Sequence, residues 1–530
     1  MKITKDEIKL GPLLGIEGNS RYTVCFLSKI EYNIQDIVLE VYGSKKLQEI
    51  SLQSITRLES HFFYRFEFDV ELFEKTNQIT YEICKHSTKL RNVQGVNSWE
   101  FIVPGTSVIP KIAFASCSGT ENYPTDLKTK DYIMWKRLIT HHYQDLLNYS
   151  FHCLLLGGDQ IYTDSIWDRV PYFKKHRLLS DNQIIIDHKI KYEERQLLEK
   201  EIARFYEQLY IDSWSNNHMS QALASIPNVM IWDDHDIFDG WGSFSNELQT
   251  SDIFQLIFKV AKQYFEVFQV RSNANQTLIA KDIDYSMHLT FRNYEIILLD
   301  NRSYRSEHSI MSDNQYKNLK KLLSQKLFKS INDNHFLNKN KVINFVIPVP
   351  VAHLDYKKRT EALLKFWRQN RFIRSLHDDG LDHWDHEYHK EEQKNLLDLI
   401  IEFGNTHEPD YLNIISGDVH SAGAALVKNK ENRLINQLIA SPMVNHSPSY
   451  FTRAMMLLSA NKESQISEYK LSLQRFGSNW KKTIYSRNFG FLYKAQGSGL
   501  KAYLRMENNP DGYDFKQLAK FKGSSSDYLT

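Results

Sequence analysis

Cysteine is scarce, with 4 residues in a chain of 530. Cys25, Cys84, Cys117 and Cys153 follow no zinc-ligand spacing, and so few thiols cannot staple a chain of this length. A disulfide scaffold and a cysteine-rich zinc module are excluded, and a reducing compartment is the simpler expectation. Charge of one sign is also missing. Lys+Arg 66 against Asp+Glu 64 leaves a net +2, so no nucleic-acid surface or anionic-membrane surface is evident in the total. No apolar run reaches the ~18 residues of a membrane span. The opening residues Met1-Lys2-Ile3-Thr4-Lys5-Asp6-Glu7 are charged and lack the apolar core of a signal peptide. A cytoplasmic location is therefore expected, with leaderless export as the alternative. Repeats are absent, and low complexity is confined to Ser524-Ser525-Ser526. What the chain does have is bulk: 42% hydrophobic and 13% aromatic residues can bury a large core in two or more domains.

Residues 1–105 read as a small N-terminal antiparallel β-sandwich. Its strands are the β-branched and aromatic runs at 22–27, 37–42 and 62–68, separated by turn-like Asn, Gly and Ser. Pro104-Gly105 and Pro110 mark a junction. Residues 106–530 then alternate buried strands with helices, the pattern of an α/β fold. Apolar runs at 111–117, 152–159, 229–234, 294–300, 342–347 and 411–418 predict strands. Helices are predicted at 135–148, 192–214, 252–268, 312–329 with Ser312 as N-cap, and 391–403. His141 and His142 are expected on the surface of the first of these helices. The segment 446–530 carries no motif. It is expected to supply a lid or edge strands, including one at 490–493.

The densest chemistry lies in Trp232-Asp233-Asp234-His235-Asp236-Ile237-Phe238-Asp239, four acids and a histidine wrapped in apolar residues. Carboxylates in such surroundings are costly unless paired, hydrogen-bonded or bound to metal. Other apolar runs also end in potential ligands: Cys117, Asp159, Asp300, and Asp418 with His420. In open α/β sheets ligands gather at the carboxyl ends of strands. With the phenol of Tyr162 added, the set is mixed. Its oxygen donors suit calcium, magnesium, manganese or ferric iron. A site with two or more metals would polarise a phosphoryl group and generate hydroxide near neutral pH.

Five pieces carry a family resemblance: Ala115-Ser116-Cys117, Gly158-Asp159-Gln160-Ile161-Tyr162, Trp232-Asp233-Asp234-His235-Asp236, Leu299-Asp300-Asn301-Arg302-Ser303-Tyr304-Arg305 and Ser416-Gly417-Asp418-Val419-His420. In this order, across 111–440, they resemble the PhoD-like (alkaline phosphatase D) branch of the metallophosphoesterases. The resemblance implies a metallophosphoesterase-type two-sheet sandwich flanked by helices. It implies hydrolysis of small phosphate esters, mono- or diesters, by metal-bound hydroxide. Fe(3+) and Ca(2+) are the implied cofactors, with Mn, Mg or Zn as alternatives. On the same grounds Cys117 would ligate iron, Asp159 would bridge metals, and Tyr162 would bind the ferric ion as phenolate. Asp234 stands where many relatives carry a ligand Asn, and His235 would be the general acid or a phosphate holder. Asp418 and His420 would be the last metal pair.

Arg302 reads as a phosphate clamp, since a guanidinium matches phosphate bidentately. Pairing with Asp300 is its bland alternative, and Arg305 ranks below it. Asp233, Asp236 and Asp239 are left supporting roles. The run His383-Trp384-Asp385-His386-Glu387-Tyr388-His389 is either pocket lining or a loop entering a helix. His353 is unassigned. The rival function is a phosphate-compound-binding or scaffold protein with structural metals and no turnover. A third reading is hydrolysis of another activated ester or a lipid phosphodiester.

Overall fold

The strand Cys153–Gly157 is buried at every residue, which requires that both faces of its sheet be covered. The same holds for Ile112–Ala115, Asn228–Ile231, Tyr294–Leu298, Val342–Val346 and Tyr411–Ser416. These strands belong to two large sheets in the computed structural model, which describes residues 7–43, 47–120, 132–144, 149–178, 182–281, 283–329, 335–352, 384, 386–446, 464–476, 482–495 and 497–523.

The first sheet has ten strands. In spatial order they are Asn509–Gln517, Lys501–Met506, Asn488–Tyr493, Ile112–Ala115, Cys153–Gly157, Asn228–Ile231, Leu10–Ile16, Arg21–Ser28, Phe62–Asp69 and Ser54–Arg57. Its three central strands are parallel, in registers Ile112↔Cys153 and Gly157↔Ile231. The second sheet has nine strands. Tyr294–Leu298, Val342–Val346, Tyr411–Ser416 and Leu434–Ile439 form its parallel core. Parallel strands send all their carboxyl ends to one side, which gathers the loops after them.

The period-2 alternation of a strand explains how the sheets pack. Val342 and Val346 join the core cluster that contains the first sheet's Leu154, Leu156 and Met230. Ile343 and Phe345 point the other way, into a cluster with Leu319 and Leu322 of the helix Asp313–Leu323 and Leu396 and Ile400 of the helix Lys390–His407. The expected α/β architecture of two sheets with flanking helices is thus observed.

The N-terminal strands divide. Leu10–Ile16 pairs in parallel with Asn228–Ile231 through Gly15↔Asn228, so Arg21–Ser28, Phe62–Asp69 and Ser54–Arg57, which follow it in the sheet, extend the first large sheet. Ile37–Tyr42, Leu47–Ser51, Asn77–Lys85, Thr88–Lys89 and Trp99–Val103 form a separate antiparallel sheet of five. Residues 488–517 supply edge strands beside Ile112–Ala115.

The helices Tyr192–Trp214 and Asp252–Phe265 fall where their patterns placed them. Ser312 caps its helix in a capping box with Gln315. One expectation is corrected. His141 and His142, in the helix Ile133–Gln144, are buried, with His142 0% exposed. The C-terminal strand Asn488–Tyr493 and the residues leading into the Cys153–Gly157 strand cover this helix: His141 packs 5.3 Å from Phe491 and 5.0 Å from Phe151. No helix among the described residues is long and apolar enough to cross a membrane.

Candidate metal centre

Three loops after parallel strands build one wall of the centre. Cys117 follows Ile112–Ala115, Asp159 follows Cys153–Gly157, and Asp234 follows Asn228–Ile231. The second sheet delivers Asp418 and His420 after Tyr411–Ser416. Gly158 takes φ +104°, and a methyl there would meet the Asp233 Cβ at 2.7 Å, so only glycine allows the two loops to approach this closely.

Potential ligand atoms of Cys117, Asp159 and His420 lie within 4.8 Å of one another, as do those of Asp159, Asp233, Asp234 and Asp418. Asp159 belongs to both groups. Its Oδ2 accepts from the Cys117 Sγ at 3.3 Å, while its Oδ1 is buried with no hydrogen-bond partner. The Tyr162 hydroxyl sits 2.9 Å from His420 Nε2 and 3.5 Å from Asp159 Oδ2. The structure therefore brings Cys117, Asp159, Tyr162, Asp234, Asp418 and His420 together.

The electrostatics call for positive charge. Burial pushes the Asp159 carboxyl well above the usual carboxylate range, and neighbouring Asp233 and Asp234 push it further. Burial likewise holds the Cys117 thiol and the Tyr162 phenol well above their ordinary values, with Asp159 adding to both. His420 is pushed down to about 3 by burial, then by His235 and His446, and is a neutral imidazole. Deprotonating the acids here needs a cation, as metal binding to such donors does. An orphaned buried carboxylate oxygen shared by two donor groups fits that requirement, and the mixed sulfur, oxygen and nitrogen donors fit a transition metal beside a harder ion.

Arg302 and His235 sit around this cluster in different ways. Arg302 is fully buried. Its Nε pairs with Asp233 Oδ1, Nη2 lies 3.4 Å from Asp234 Oδ1, and Nη1 donates to the Trp241 carbonyl at 2.9 Å. Among the described residues, the guanidinium expected against a phosphate pairs with Asp233 and Asp234 rather than Asp300. Asp300 is itself a structural hub, accepting from Trp232 Nε1 at 2.8 Å and from the Tyr285, Arg302 and Ser303 amides at 3.0 Å.

His235 stacks on the Tyr162 ring at 4.2 Å and places Nδ1 3.1 Å from both oxygens of Asp164. Burial opposes its protonation, but Asp164, Asp234 and Asp159 outweigh it and hold the imidazole well above its ordinary value. Asp236 braces the site. Its Oδ1 accepts from the Gln160 and Ile161 amides at 3.1 and 3.2 Å and from Gln269 Nε2 at 2.8 Å. Gln269 reaches it from a π turn, Glu266–Val270, at the end of the Asp252 helix. Asp239 is half exposed, 4.0 Å from His235 Nε2.

Sequence reasoning missed Asp164 and Asn445. Asp164 could have been found as an acid two residues past Tyr162 in a loop rich in ligands. Asn445 lies in a segment with no motif. Of the 383–389 run, His383 and Asp385 lie outside the described residues, as does His353. Trp384 is buried, and His389 precedes the helix Lys390–His407 with Nε2 3.1 Å from the Glu307 carbonyl. Away from this centre, a group of ligand types, Glu40, Glu82 and Cys84, lies in the small N-terminal sheet. There Lys89 Nζ donates to Glu82 at 2.7 Å and the Tyr42 hydroxyl to Glu40 at 2.5 Å.

The family model described as "PhoD related phosphatase" matches residues 78–351, over half of the chain. An uncharacterized protein of Saccharomyces cerevisiae, YGR266W, is 23% identical over 477 residues, covering 75% of this chain. The match spans 64% of that relative's length. Among solved structures, one titled "Structure of PhoD" superposes with a TM-score of 0.59 at 12% identity, covering 99% of this chain and 95% of its own. Purple acid phosphatase PPD1 from yellow lupin (Lupinus luteus) seeds gives 0.51 at 11% identity, covering 98% and 75%. These two likenesses establish the fold.

Proposed function

Because the chain belongs to the PhoD related phosphatase family, we propose that it hydrolyses phosphate esters at a centre of two or more metals around Asp159. The observation that carries this reading is the buried, partnerless Asp159 Oδ1 in a residue shared by two groups of ligand atoms. Cys117, Tyr162, His420 and Asp159 would hold one ion, and this thiol, phenol and imidazole set suits ferric iron. Asp159, Asp234 and Asp418 would hold a second, and oxygen donors alone suit calcium. When bound, such ions supply positive charge against phosphoryl oxygens and lower the pKa of water.

The chain's own residues do the remainder. Asp164 accepts from His235 Nδ1 and fixes the ring, so that Nε2 is the atom that protonates the leaving oxygen. Arg302 neutralises Asp233 and Asp234 and keeps their oxygens in place. The Tyr162 ring packs against the His235 imidazole, tilted by 30°, and supports it.

Elemental analysis combined with chromogenic phosphate mono- and diesters tests the proposal. The wild type is expected to carry metal and turn over at least one ester class. Asp159→Ala should lose metal and fall by about 10²-fold or more in rate. Iron on Tyr162 should give a visible absorption band that Tyr162→Phe abolishes. An Asp159→Ala protein with full metal and full rate would refute the assignment. A metal-loaded wild type inert across a broad ester panel would favour the scaffold reading.

A further inference from the structure

The segment after the Leu434–Ile439 strand lies beyond the family match, yet it delivers a hydroxyl to the metal centre. Ser441 is fully buried, and its Oγ lies 3.0 Å from the Cys117 Sγ. The backbone around it is tied to both large sheets. Before it, the Ala440 amide donates to the carbonyl of Ser416, the last residue of a second-sheet strand, at 3.1 Å. After it, the Met443 amide donates to the Ser116 carbonyl at 3.0 Å. The Ser441 carbonyl accepts from Asn488 Nδ2 at 2.6 Å, and the Asn488 amide donates to the Pro442 carbonyl at 2.8 Å. Asn488 is itself buried, in the first-sheet strand Asn488–Tyr493. These bonds leave the Ser441 hydroxyl facing the sulfur.

The groups around Cys117 Sγ differ in what they can offer it. Asp159 Oδ2 at 3.3 Å and the Asp418 carbonyl at 3.7 Å are acceptors, so they suit a thiol that carries its proton. A cysteine that ligates an ion is a thiolate, with lone pairs and no proton, and only a donor can hydrogen-bond to it. The Tyr162 phenol also reaches the sulfur, but a phenol that ligates the same ion has given up its proton. Ser116 Oγ, 3.4 Å from Sγ, has one proton and also faces the Ala440 carbonyl at 3.3 Å. Ser441 Oγ has one proton and, among the described residues, only the sulfur to give it to.

We infer that Ser441 is the positioning residue of a ligating Cys117: its hydroxyl donates to Sγ, aims the sulfur at the ion, and sets the reduction potential of an iron bound there. The inference rests on the metal centre proposed above and deepens it. Hydrogen bonds to a ligating sulfur withdraw electron density from it, which favours the reduced metal and raises the potential. A partner of this kind also orients the ligand and is worth as much to metal binding as many ligands are. The C-terminal segment thereby takes part in holding the iron and in choosing its oxidation state.

The test uses the full chain loaded with iron. It reads the visible absorption, the reduction potential from a spectroscopic redox titration, iron retention against a chelator, and the melting temperature of the metal-free protein, alongside ester turnover. Cys117→Ser should lose its iron or the part of the absorption that belongs to sulfur. Ser441→Ala should keep the metal-free melting temperature, shift the sulfur absorption and lower the potential. Its iron retention should weaken about 10- to 100-fold, the scale for removing the outer partner of a metal ligand. Ser116→Ala should move the potential less, because the Ser116 proton is shared with the Ala440 carbonyl. A Ser441→Ala protein with the wild-type absorption and potential would overturn the inference, as would a larger change of potential in Ser116→Ala. So would a Cys117→Ser protein with unchanged iron and spectrum, since the sulfur would then not be on the iron. An iron-loaded wild type that hydrolyses no ester would remove the hydrolase reading alone, with the potential of Ser441→Ala still deciding this one. A chain that takes up no iron yet turns over esters with another metal overturns this inference and leaves the hydrolase reading standing.

Discussion

Acid should loosen the strands that carry Cys117 and Asp159 before it reaches the metal centre. His152 opens the Cys153–Gly157 strand, and its Nδ1 accepts the Lys111 amide at 2.9 Å, at the start of the neighbouring Ile112–Ala115 strand. Behind both strands, His142 Nδ1 accepts the Phe151 amide at 3.1 Å. Both imidazoles are held neutral: burial first, and then the neighbouring His141 or Lys111, push each down to about 3. A base whose folded pKa is depressed contributes stability that is present above its unfolded value, near 6.5, and lost as pH falls below it. Between pH 7 and pH 5 the unfolded state takes up about 0.7 proton per histidine and the folded state almost none. That difference costs about 2 kcal/mol per histidine, or about 4 for the pair, against total stabilities of roughly 5–15 kcal/mol. In His142→Asn/His152→Asn the carboxamide Oδ1 takes the place of each Nδ1 as acceptor and does not titrate. Denaturant unfolding in chelator, followed by tryptophan fluorescence at pH 7, 6 and 5, compares the two chains. The double variant is expected to gain about 4 kcal/mol on the wild type between pH 7 and pH 5. A difference that stays constant with pH would refute the argument.

Two other perturbations bear on how the site is held. Arg302→Ala leaves Asp233 and Asp234 buried without their guanidinium and should cost about 3–5 kcal/mol in the metal-free protein; a loss under about 1 kcal/mol, read by denaturation in chelator, would mean that Arg302 does not neutralise them. Gly417→Ala places a methyl on the Ser116 side chain, and overpacking there should cost about 1–3 kcal/mol and lower metal content by shifting Cys117. Adding Ser116→Gly should restore both, and a double variant no better than Gly417→Ala would disprove the steric cause.

The residues legible in the sequence were those that end a buried strand. Cys117, Asp159, Asp234 and Asp418 each follow an apolar run, and the parallel arrangement of those runs is enough to collect them. The helix Tyr192–Trp214 and the capped helix starting at Asp313 were legible for the same reason: each signal is local. What was not legible depends on contacts between distant parts of the chain. His141 and His142 read as surface residues because part of their cover, the Asn488–Tyr493 strand, lies far along the chain. Arg302 read as a phosphate clamp because guanidinium chemistry fits a phosphate and a carboxylate equally well. The carboxylates of Asp233 and Asp234 beside it could be read only from the folded chain. Asn445 carries no pattern at all, and its place beside His420 depends on contacts with His446 and with Arg487.

Backbone conformation adds a physical reason why the donors stay where they are. Cys117, Asp159, Asp418 and His420 all adopt the left-handed region, with φ of 54°, 56°, 59° and 46°. Each such non-glycine residue costs on the order of 1–2 kcal/mol, and the buried carboxylates repel one another besides. Neither burden relaxes, because the surrounding contacts fix both walls. Asp236 pins the Gln160 and Ile161 amides, the Ser416 carbonyl is tied to the Ala440 amide at 3.1 Å, and the Met443 and Val444 amides bridge the two sheets at Ser116 and Cys117. A centre strained in this way should bind its ions tightly without collapsing when they leave. The metal-free protein should therefore remain folded, with a lower melting temperature. If chelation instead unfolds the chain at room temperature, the two sheets do not hold the site rigid, and the ions form part of the fold rather than occupants of a prepared cavity.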